Sequence, residues 1–395
     1  MTFASALILG SCLSLLGWTY LCALHGRFWM GDQRLGADPP GPDGGWPAVT
    51  AVVPARDEED VIRLSLRALL VQDYPGPFRV LVVDDESGDG TGERAWEAAR
   101  EIGAEARVAV IRTKPRPPGW VGKTWALQTG VEHARALHPE ADFLWLSDAD
   151  VAPAPRTLRR LVAKALAERL DLVSLMVRLD SRGGWSPLLV PAFVYFFQKL
   201  YPFARVNDPA ARTAGAAGGC IVLRADALAR AGGIASIHDA VIDDCALGAA
   251  IKRSGRVWLG LGVEERSLRP YRRLGDVWRM VARSAYTQLR HSPAILAGVL
   301  AGLLLLYALP VVAALGWPLH GSAPAAVLGL SAWLLMAATF LPTLALYGRS
   351  PLLGLGLPLA GVLYAGMTLD SAFRHLRGRG AVWKGRSFGG GASVG

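Results

Sequence analysis

Two aspartates of this sequence stand two positions apart, just after an apolar segment. Asp148 and Asp150 follow residues 143–146 (FLWL), and in an extended chain residues two apart point to the same side. Mg²⁺ and Mn²⁺ prefer carboxylate oxygens and often also bind substrate phosphates. We therefore predict that Asp148 and Asp150 hold Mg²⁺ or Mn²⁺, which would neutralise charge on a diphosphate leaving group.

A second pair of carboxylates ends the apolar segment 79–83. Asp84 and Asp85 precede a glycine-containing loop and a predicted helix. Carboxylates at such a strand end can accept hydrogen bonds from the base or ribose of a nucleotide, so both are candidate nucleotide ligands. A structural role alone stays open for this pair.

More acidic residues follow the first apolar segment, 49–53. This segment runs into Pro54 and then into Asp57, Glu58 and Glu59. Asp57 is the carboxylate nearest to the strand end, so we predict that the nucleotide lies beside Pro54 and Asp57. For Glu58 and Glu59 the simpler interpretation is favourable charge at the positive end of a helix.

Gly122, Lys123 and Thr124 resemble the end of a phosphate-binding loop. The spacing of an ATPase loop would need glycine where Pro117 stands, which excludes that class of protein. A lysine at the start of a helix can still contact a donor phosphate. The alternative is a solvated surface lysine.

Asp243 and Asp244 open a predicted helix in the segment 238–255. One interpretation is favourable charge at the helix end. The functional interpretation is a general base that takes a proton from an attacking hydroxyl.

The elements that would carry these residues alternate between strands and helices. Apolar, β-rich segments occur at 49–53, 79–83, 107–111, 143–146 and 171–177, with helical stretches near 57–72, 90–101, 122–137 and 155–169. Continuous apolar strands separated by helices predict an α/β fold with a mostly parallel sheet covered on both faces. Ligands bind at the carboxyl ends of strands in such sheets, which is where the acidic residues stand.

The composition suits a globular domain joined to membrane segments, since 52% of the 395 residues are hydrophobic and 19% are charged. Residues 3–24 carry no charge and are long enough to cross a bilayer, so we predict an uncleaved anchor over 1–26. Residues 27–47 are predicted as a linker, which ends in a stretch rich in proline and glycine. Arg27 and Arg34 follow the anchor and favour a cytoplasmic position for the next domain. Four scattered cysteines favour a reducing compartment.

Three further apolar segments lie at 294–317, 323–346 and 351–369, within a predicted membrane region 294–371 of two or three spans. The third segment contains glycines and prolines, so a spanning and a re-entrant course both stay open. The arginines and lysine of the tail, 372–395, favour the cytoplasm, whereas three complete spans would place the tail outside.

Two segments before the membrane region are candidates for contact with lipid. Residues 183–198 are uncharged and aromatic, which fits either an interfacial helix or a core helix. Residues 266–293, predicted as basic interfacial helices, contain seven arginines and, within 266–290, only Asp276 as an acid. With a net charge of +9 and no nucleic-acid-binding motif, this pattern favours anionic lipid over nucleic acid.

Several of these motifs together resemble family 2 glycosyltransferases of the GT-A fold. The chain looks most like the bacterial hopene-associated glycosyltransferase subgroup, in its layout and in residues 278–293 and 383–386. The segments that carry the resemblance are PARDEE (54–59), VVDDESGDGT (82–91), GKTWALQTG (122–130), SDAD (147–150) and IDDCALG (242–248).

The resemblance implies a GT-A catalytic domain over 48–265 and a role for each matching residue. Asp85, with Asp84 beside it, would contact the nucleotide base. Asp148 and Asp150 would hold the metal and diphosphate. Asp244, next to Asp243, would be the base of an inverting displacement.

One departure from the family pattern bears on the product. Many membrane members carry a Q/R-x-x-R-W motif, but residues 280–284 here match it only at Arg283, a candidate donor ligand. Long polysaccharide synthesis is therefore disfavoured. We predict transfer of one sugar from a nucleotide sugar, with UDP-sugars favoured, to the hydroxyl of a membrane lipid such as a hopanoid, at the bacterial inner membrane. A polyprenyl phosphate acceptor and a non-catalytic binding protein stay as alternatives.

Overall fold

The computed structural model describes residues 2–36, 41–42 and 44–378, and the backbone of 382–383 and 386–387. The chain divides into two compact units. The helical unit comprises Met1–Asp32, Ser181–Ala204 and Pro270–Ala381. The sheet unit comprises Gln33–Asp180 and Arg205–Arg269, joined by the antiparallel pair Val382–Trp383 and Arg386–Ser387.

The sheet unit is built on one mixed sheet in the order β3-β2-β1-β4-β7-β6-β8-β5. Strands β1 to β4 pair in parallel at one side, whereas β7 runs antiparallel to both β4 and β6. Strand β8 pairs in parallel with β6 and antiparallel with β5. The strands are β1 (Val49–Ala55), β2 (Phe78–Asp84), β3 (Val108–Arg112), β4 (Phe143–Ser147), β5 (Val151–Ala152), β6 (Leu172–Arg178), β7 (Cys220–Arg224) and β8 (Val257–Ser267).

The helices cover this sheet or form the helical unit. Short 3-10 turns lie at Phe28–Met30, Glu105–Arg107, Ile234–Ile237 and Pro351–Gly356, and a π-helical turn at Leu304–Ala308. In chain order, the α-helices of the described residues are α1 (Phe3–Ala23), α2 (Glu59–Leu70), α3 (Thr91–Glu101), α4 (Gly122–Leu137), α5 (Thr157–Ala167), α6 (Ser186–Leu200), α7 (Phe203–Asn207), α8 (Ala225–Arg230), α9 (Asp243–Lys252), α10 (Leu274–Ala282), α11 (Ala285–Gln288), α12 (Pro293–Leu303), α13 (Leu309–Leu315), α14 (Trp317–His320), α15 (Ala323–Leu346) and α16 (Leu357–Leu376).

The central strands form because their residues are apolar on both sides. Every residue of β1 and of β4 is buried. Burying one Val or Leu side chain contributes about 1.5–3 kcal/mol, so such a segment is stable only between two covering layers. Helix α4 approaches the sheet closely at Gly130, where a Cβ atom would lie 2.4 Å from Val52 Cγ1. This contact fixes the position of the whole helix, including Lys123 near its start.

The helical unit contains four helices that are long and apolar enough to cross a membrane: Phe3–Ala23, Pro293–Leu315, Ala323–Leu346 and Pro351–Leu376. The last of them includes the segment for which a spanning and a re-entrant course were both open. Its glycines and prolines lie partly in the 3-10 turn that precedes α16, and α16 itself runs on without a break.

The position of helix α6 departs from the predicted domain organisation. This helix belongs to the helical unit, although its residues lie within the predicted catalytic domain 48–265. Its Tyr195 is fully buried, and the hydroxyl lies 2.7 Å from that of Thr339 on α15. The Tyr364 hydroxyl on α16 donates to the carbonyl of Leu189 at 2.9 Å. An apolar helix needs apolar neighbours, and α15 and α16 supply them. This burial fits the core-helix alternative.

Parts of the predicted linker and tail, residues 37–40, 43, 379–381, 384–385 and 388–395, lie outside the described residues. The side chains of the 383–386 segment are outside them as well.

Candidate functional site

Asp84 and Asp85, at the end of β2, are both buried, with 2% and 1% of their surface exposed. Asp84 Oδ1 accepts a hydrogen bond from the backbone N–H of Ser87 at 2.9 Å. Asp85 Oδ1 accepts one from the Thr113 hydroxyl at 3.1 Å, and its Oδ2 lies 3.7 Å from Arg56 Nη1. Asp84 therefore holds the turn after β2, and Asp85 is oriented by side chains from two other loops.

Asp57 ties the segment after β1 to the loop after β2. Its Oδ1 accepts a hydrogen bond from the N–H of Gly88 at 2.9 Å, and its own N–H donates to the Ser87 hydroxyl at 3.1 Å. The residue has a φ of +50°, which is unusual for a residue other than glycine. Its contacts within the protein are structural, and its contact with a nucleotide stays a prediction.

Asp148 and Asp150 lie in a turn between β4 and β5. The N–H of Val151 donates to the carbonyl of Asp148 at 3.2 Å, which closes the turn. The expected extended conformation is therefore absent, and the rule that residues two apart point to the same side does not apply here.

The two carboxylates have different partners. Asp148 Oδ1 lies 2.8 Å from Lys123 Nζ. Asp150 Oδ2 lies 3.0 Å from Arg269 Nε and 3.2 Å from the Ser267 hydroxyl. In the described part of the chain, no group of three or more His, Cys, Asp or Glu side chains could hold a metal. A metal here would need further ligands from water or from a bound substrate.

Lys123 connects Asp148 with the acidic start of α9. Its Nζ lies 3.2 Å from Asp243 Oδ2 as well as 2.8 Å from Asp148. The carboxylate of Asp244 accepts two backbone hydrogen bonds, from Gly218 and Cys245, each at 2.8 Å. Lys123, whose side chain is 19% exposed, is thus an ion-pair partner of Asp148 and Asp243 and not a solvated surface lysine.

The charges of this cluster shift the proton affinities of its members. Burial alone would lower the pKa of Lys123, but Asp148, Asp243 and Asp244 raise it well above its ordinary value. Burial and the charge of Asp243 raise the pKa of Asp244 to about 6, against the opposing effect of Lys123. Asp244 is therefore ionised at neutral pH but holds a proton more strongly than an ordinary carboxylate, as a general base requires.

A small pocket at the strand ends brings five of the predicted site residues together: Pro54, Lys123, Asp148, Asp243 and Asp244. The others lie outside its lining. Asp57, Asp84, Asp85 and Asp150 belong to the neighbouring loops of the sheet unit, and Arg283 lies in the helical unit at the end of α10.

Comparison with known proteins shows the family of this chain. A model of the family described as "Glycosyltransferase like family 2" matches residues 47–285, more than half of the 395 residues. The chain belongs to this family. The predicted family 2 glycosyltransferase domain is confirmed, whereas the hopene-associated subgroup stays a prediction.

The chain is also similar to individual proteins, among them one curated sequence and one solved structure. The probable glycosyltransferase YdaM of Bacillus subtilis (strain 168) is 32% identical over 117 residues, which are 29% of this chain and 26% of that protein. The match thus spans about a quarter of the relative. The structure of the mannosyltransferase PcManGT from Pyrobaculum calidifontis in complex with GDP-Man and Mn²⁺ is 20% identical, with a TM-score of 0.57. It covers 95% of this chain and 99% of that one, and the predicted GT-A fold is confirmed.

Sequence reasoning missed two residues of this family 2 site. Arg269 was assigned to lipid headgroups with the other arginines, but it bonds Asp150 and lies 2.8 Å from Glu58 Oε1. Gly218 was not among the predicted site residues. A Cβ atom at this position would lie 3.2 Å from Lys123 Nζ and 3.3 Å from Asp244 Oδ2, so its backbone lies close to both side chains. The adjacent glycines 218 and 219 before an apolar segment were the available signal for a close backbone approach.

Proposed function

We propose that this protein transfers a single sugar from a nucleoside diphosphate sugar to the hydroxyl of a membrane lipid. The observation that carries this proposal is the contact of Lys123 with Asp148 on one side and Asp243 on the other. These residues follow β4 and open α9, and Asp244 is the next residue of α9. One pocket therefore contains a carboxylate that could lie near the donor phosphates (Asp148), a positively charged side chain held in place by ion pairs (Lys123) and a candidate base (Asp244). Such a transfer requires this set of groups.

A divalent metal fits the chemistry of this pocket. The Asp148 side chain is 33% exposed, and hard cations such as Mg²⁺ and Mn²⁺ complete their coordination with phosphate oxygens and water. Asp148 would hold the ion, because its side chain is 33% exposed against 15% for Asp150. We expect Asp150, which contacts both Arg269 and Ser267, to orient the turn. When bound, the ion would neutralise charge on the departing diphosphate.

The proposed reaction is a single displacement. Asp244 takes the proton of the acceptor hydroxyl while the hydroxyl oxygen forms a bond with the anomeric carbon of the sugar. The bond from that carbon to the diphosphate oxygen breaks, and the diphosphate leaves with the electron pair. Attack from the side opposite the leaving group inverts the configuration at the anomeric carbon. Lys123 keeps Asp243 in position beside the base.

The lipid acceptor is proposed from the helices that accompany the sheet unit. Four of them have the length and composition of membrane spans. Arg27 and Arg34 follow the first one, so we propose that the sheet unit faces the cytoplasm at the bacterial inner membrane. The subgroup resemblance favours a polycyclic terpenoid alcohol such as a hopanoid as acceptor and a UDP-sugar as donor.

The test is analysis of the lipid product. The purified protein in vesicles of bacterial total lipid extract receives UDP-glucose, UDP-N-acetylglucosamine or GDP-mannose with Mn²⁺, and lipids are analysed by mass spectrometry. We expect one lipid to gain one sugar with the wild type and none with Asp244→Asn. If the sugar is found on a polyprenyl phosphate, the acceptor is that phosphate and not a lipid hydroxyl. No product with any donor, although UDP or GDP binds in calorimetry, would favour a non-catalytic binding protein.

A further inference from the structure

A pair of aromatic side chains lies beside the pocket of the sheet unit and has no part in the chemistry above. The rings of Trp120 and His238 are 5.6 Å apart between centroids, at an interplanar angle of 57°. Trp125 also packs against Trp120, edge to face, at 5.2 Å. All three side chains are only half-buried, so the pair keeps a surface open to a ligand.

Backbone hydrogen bonds fix this pair to the pocket. The N–H of Val121 and the hydroxyl of Thr124 both donate to the carbonyl of His238, at 2.9 and 2.6 Å. The segment with Trp120 therefore cannot move apart from the segment with His238. Both segments continue into the pocket: Lys123 follows Trp120 by three residues, and Ile237 directly precedes His238.

The proposed reaction defines where the sugar of the donor must lie. Its anomeric carbon joins a diphosphate near Asp148 and must be open to the hydroxyl that Asp244 activates. Lys123 contacts Asp148 and Asp243 at once, so the sugar ring must pass beside Lys123. The two segments that carry Trp120 and His238 contribute Lys123 and Ile237 to the pocket lining, and the two rings lie just outside that lining.

The indole of Trp120 also has an unused donor. Within the part of the chain that the structure describes, its N–H has no acceptor, whereas the N–H of Trp125 donates to the carbonyl of Lys114 at 2.8 Å. An aromatic ring with a free polar edge suits a sugar, which offers C–H faces and hydroxyl oxygens together. We propose that Trp120 and His238 form the subsite for the sugar ring of the nucleoside diphosphate sugar. This inference rests on the proposed function.

The test compares the affinity for a nucleotide with and without its sugar. Isothermal calorimetry in Mn²⁺ gives the Kd of UDP and UDP-glucose and of GDP and GDP-mannose, and the pair in which the sugar improves binding is used. Trp120→Ala should leave the Kd of the nucleoside diphosphate within about twofold. It should weaken the nucleotide sugar by about threefold to tenfold, the range that contact with one aromatic side chain contributes. His238→Ala, which keeps the carbonyl acceptor, should act in the same direction.

Two controls separate this effect from damage to the fold. Trp120→Phe keeps the ring but not the N–H and should fall between wild type and Trp120→Ala. Trp96→Ala removes a 38% exposed tryptophan from α3 and should change neither Kd. Equal weakening of nucleotide and nucleotide sugar by Trp120→Ala, or no weakening of either, overturns the subsite. The subsite is also overturned if the wild type binds the nucleotide sugar no more tightly than the nucleoside diphosphate. If the wild type forms no glycolipid although Trp120→Ala weakens only the nucleotide sugar, the proposed function fails and the subsite stands.

Discussion

Replacing Asp244 by Asn should make the protein inactive and, at neutral pH, more stable. Burial and the nearby charge of Asp243 disfavour the ionised carboxylate, which raises its pKa from the ordinary 3.8 to about 6. Asparagine has nearly the same shape and carries no charge. A residue kept for structure would lose stability on this substitution, whereas a strained catalytic carboxylate should gain it.

The expected size follows from two opposing effects. A pKa raised from 3.8 to about 6 disfavours the folded state by about 3 kcal/mol, at most, once the group is ionised above pH 6. The amide oxygen of Asn can accept only one of the two hydrogen bonds from Gly218 and Cys245, which costs about 1 kcal/mol. We expect a net gain of about 2 kcal/mol at pH 7.5. The stability difference between variant and wild type should shrink as pH falls from 6 to 4. In that range the wild-type carboxyl takes up a proton, and its buried charge no longer destabilises the folded state.

Thermal unfolding in detergent with EDTA, from pH 4 to pH 8, measures this effect. Turnover should fall by about 100-fold to 10,000-fold, the usual contribution of a general base. Wild-type turnover should itself decline below about pH 6. Asp226→Asn is the matched control: Arg230 and Arg224 lower the pKa of that carboxyl despite some burial, so its loss should reduce stability slightly and leave turnover unchanged. A lower melting temperature for Asp244→Asn than for wild type at pH 7.5, or more than a tenth of wild-type turnover, would refute the reasoning.

Two further substitutions test contacts beside the pocket. Arg269→Gln leaves Asp150, which is 15% exposed, without its main partner; it should cost about 1–2 kcal/mol and weaken the response of nucleotide binding to Mn²⁺. The control is Arg94→Gln, which should change melting little because the carboxylate partners of Arg94 are 40% and 41% exposed. Asp89→Ala removes an acceptor of backbone N–H groups and should cost about 1 kcal/mol with turnover kept. Hydrogen bonds lower the pKa of Asp89 against the effect of burial, so the melting difference should be present at pH 7 and vanish as pH falls below 4.

The parallel half of the sheet could be predicted because its strands are continuous apolar segments. Strands β1, β2 and β4 begin and end within one or two residues of their predicted bounds. Strands β5, β7 and β8 were not predicted. The apolar part of β8, 257–263, contains Gly260 and Gly262 and is followed by Glu264, Glu265 and Arg266, so its pattern is not typical of a buried strand. Their pairing depends on neighbours far away in the sequence.

The site was predicted as residue types but not as contacts. Periodicity locates Asp148 after a strand, Lys123 at the start of α4 and Asp243 at the start of α9. It cannot show that one ammonium group contacts two of these carboxylates, since that depends on how α4 packs at Gly130 and how the backbone approaches at Gly218. The turn at Asp148 likewise follows from the pairing of β5 with β8, which no local pattern indicates.

The charges of the pocket bear on how a donor could bind. The residues that line it include three carboxylates, Asp148, Asp243 and Asp244, and one basic side chain, Lys123. A diphosphate adds further negative charge, and at short range in a partly buried site such repulsion costs several kcal/mol. Arg269 cannot compensate, since Asp150 and Glu58 already engage it. We therefore predict that binding of the donor requires a further cation at Asp148. The calorimetry described above, repeated in EDTA, should then detect no binding of UDP or GDP.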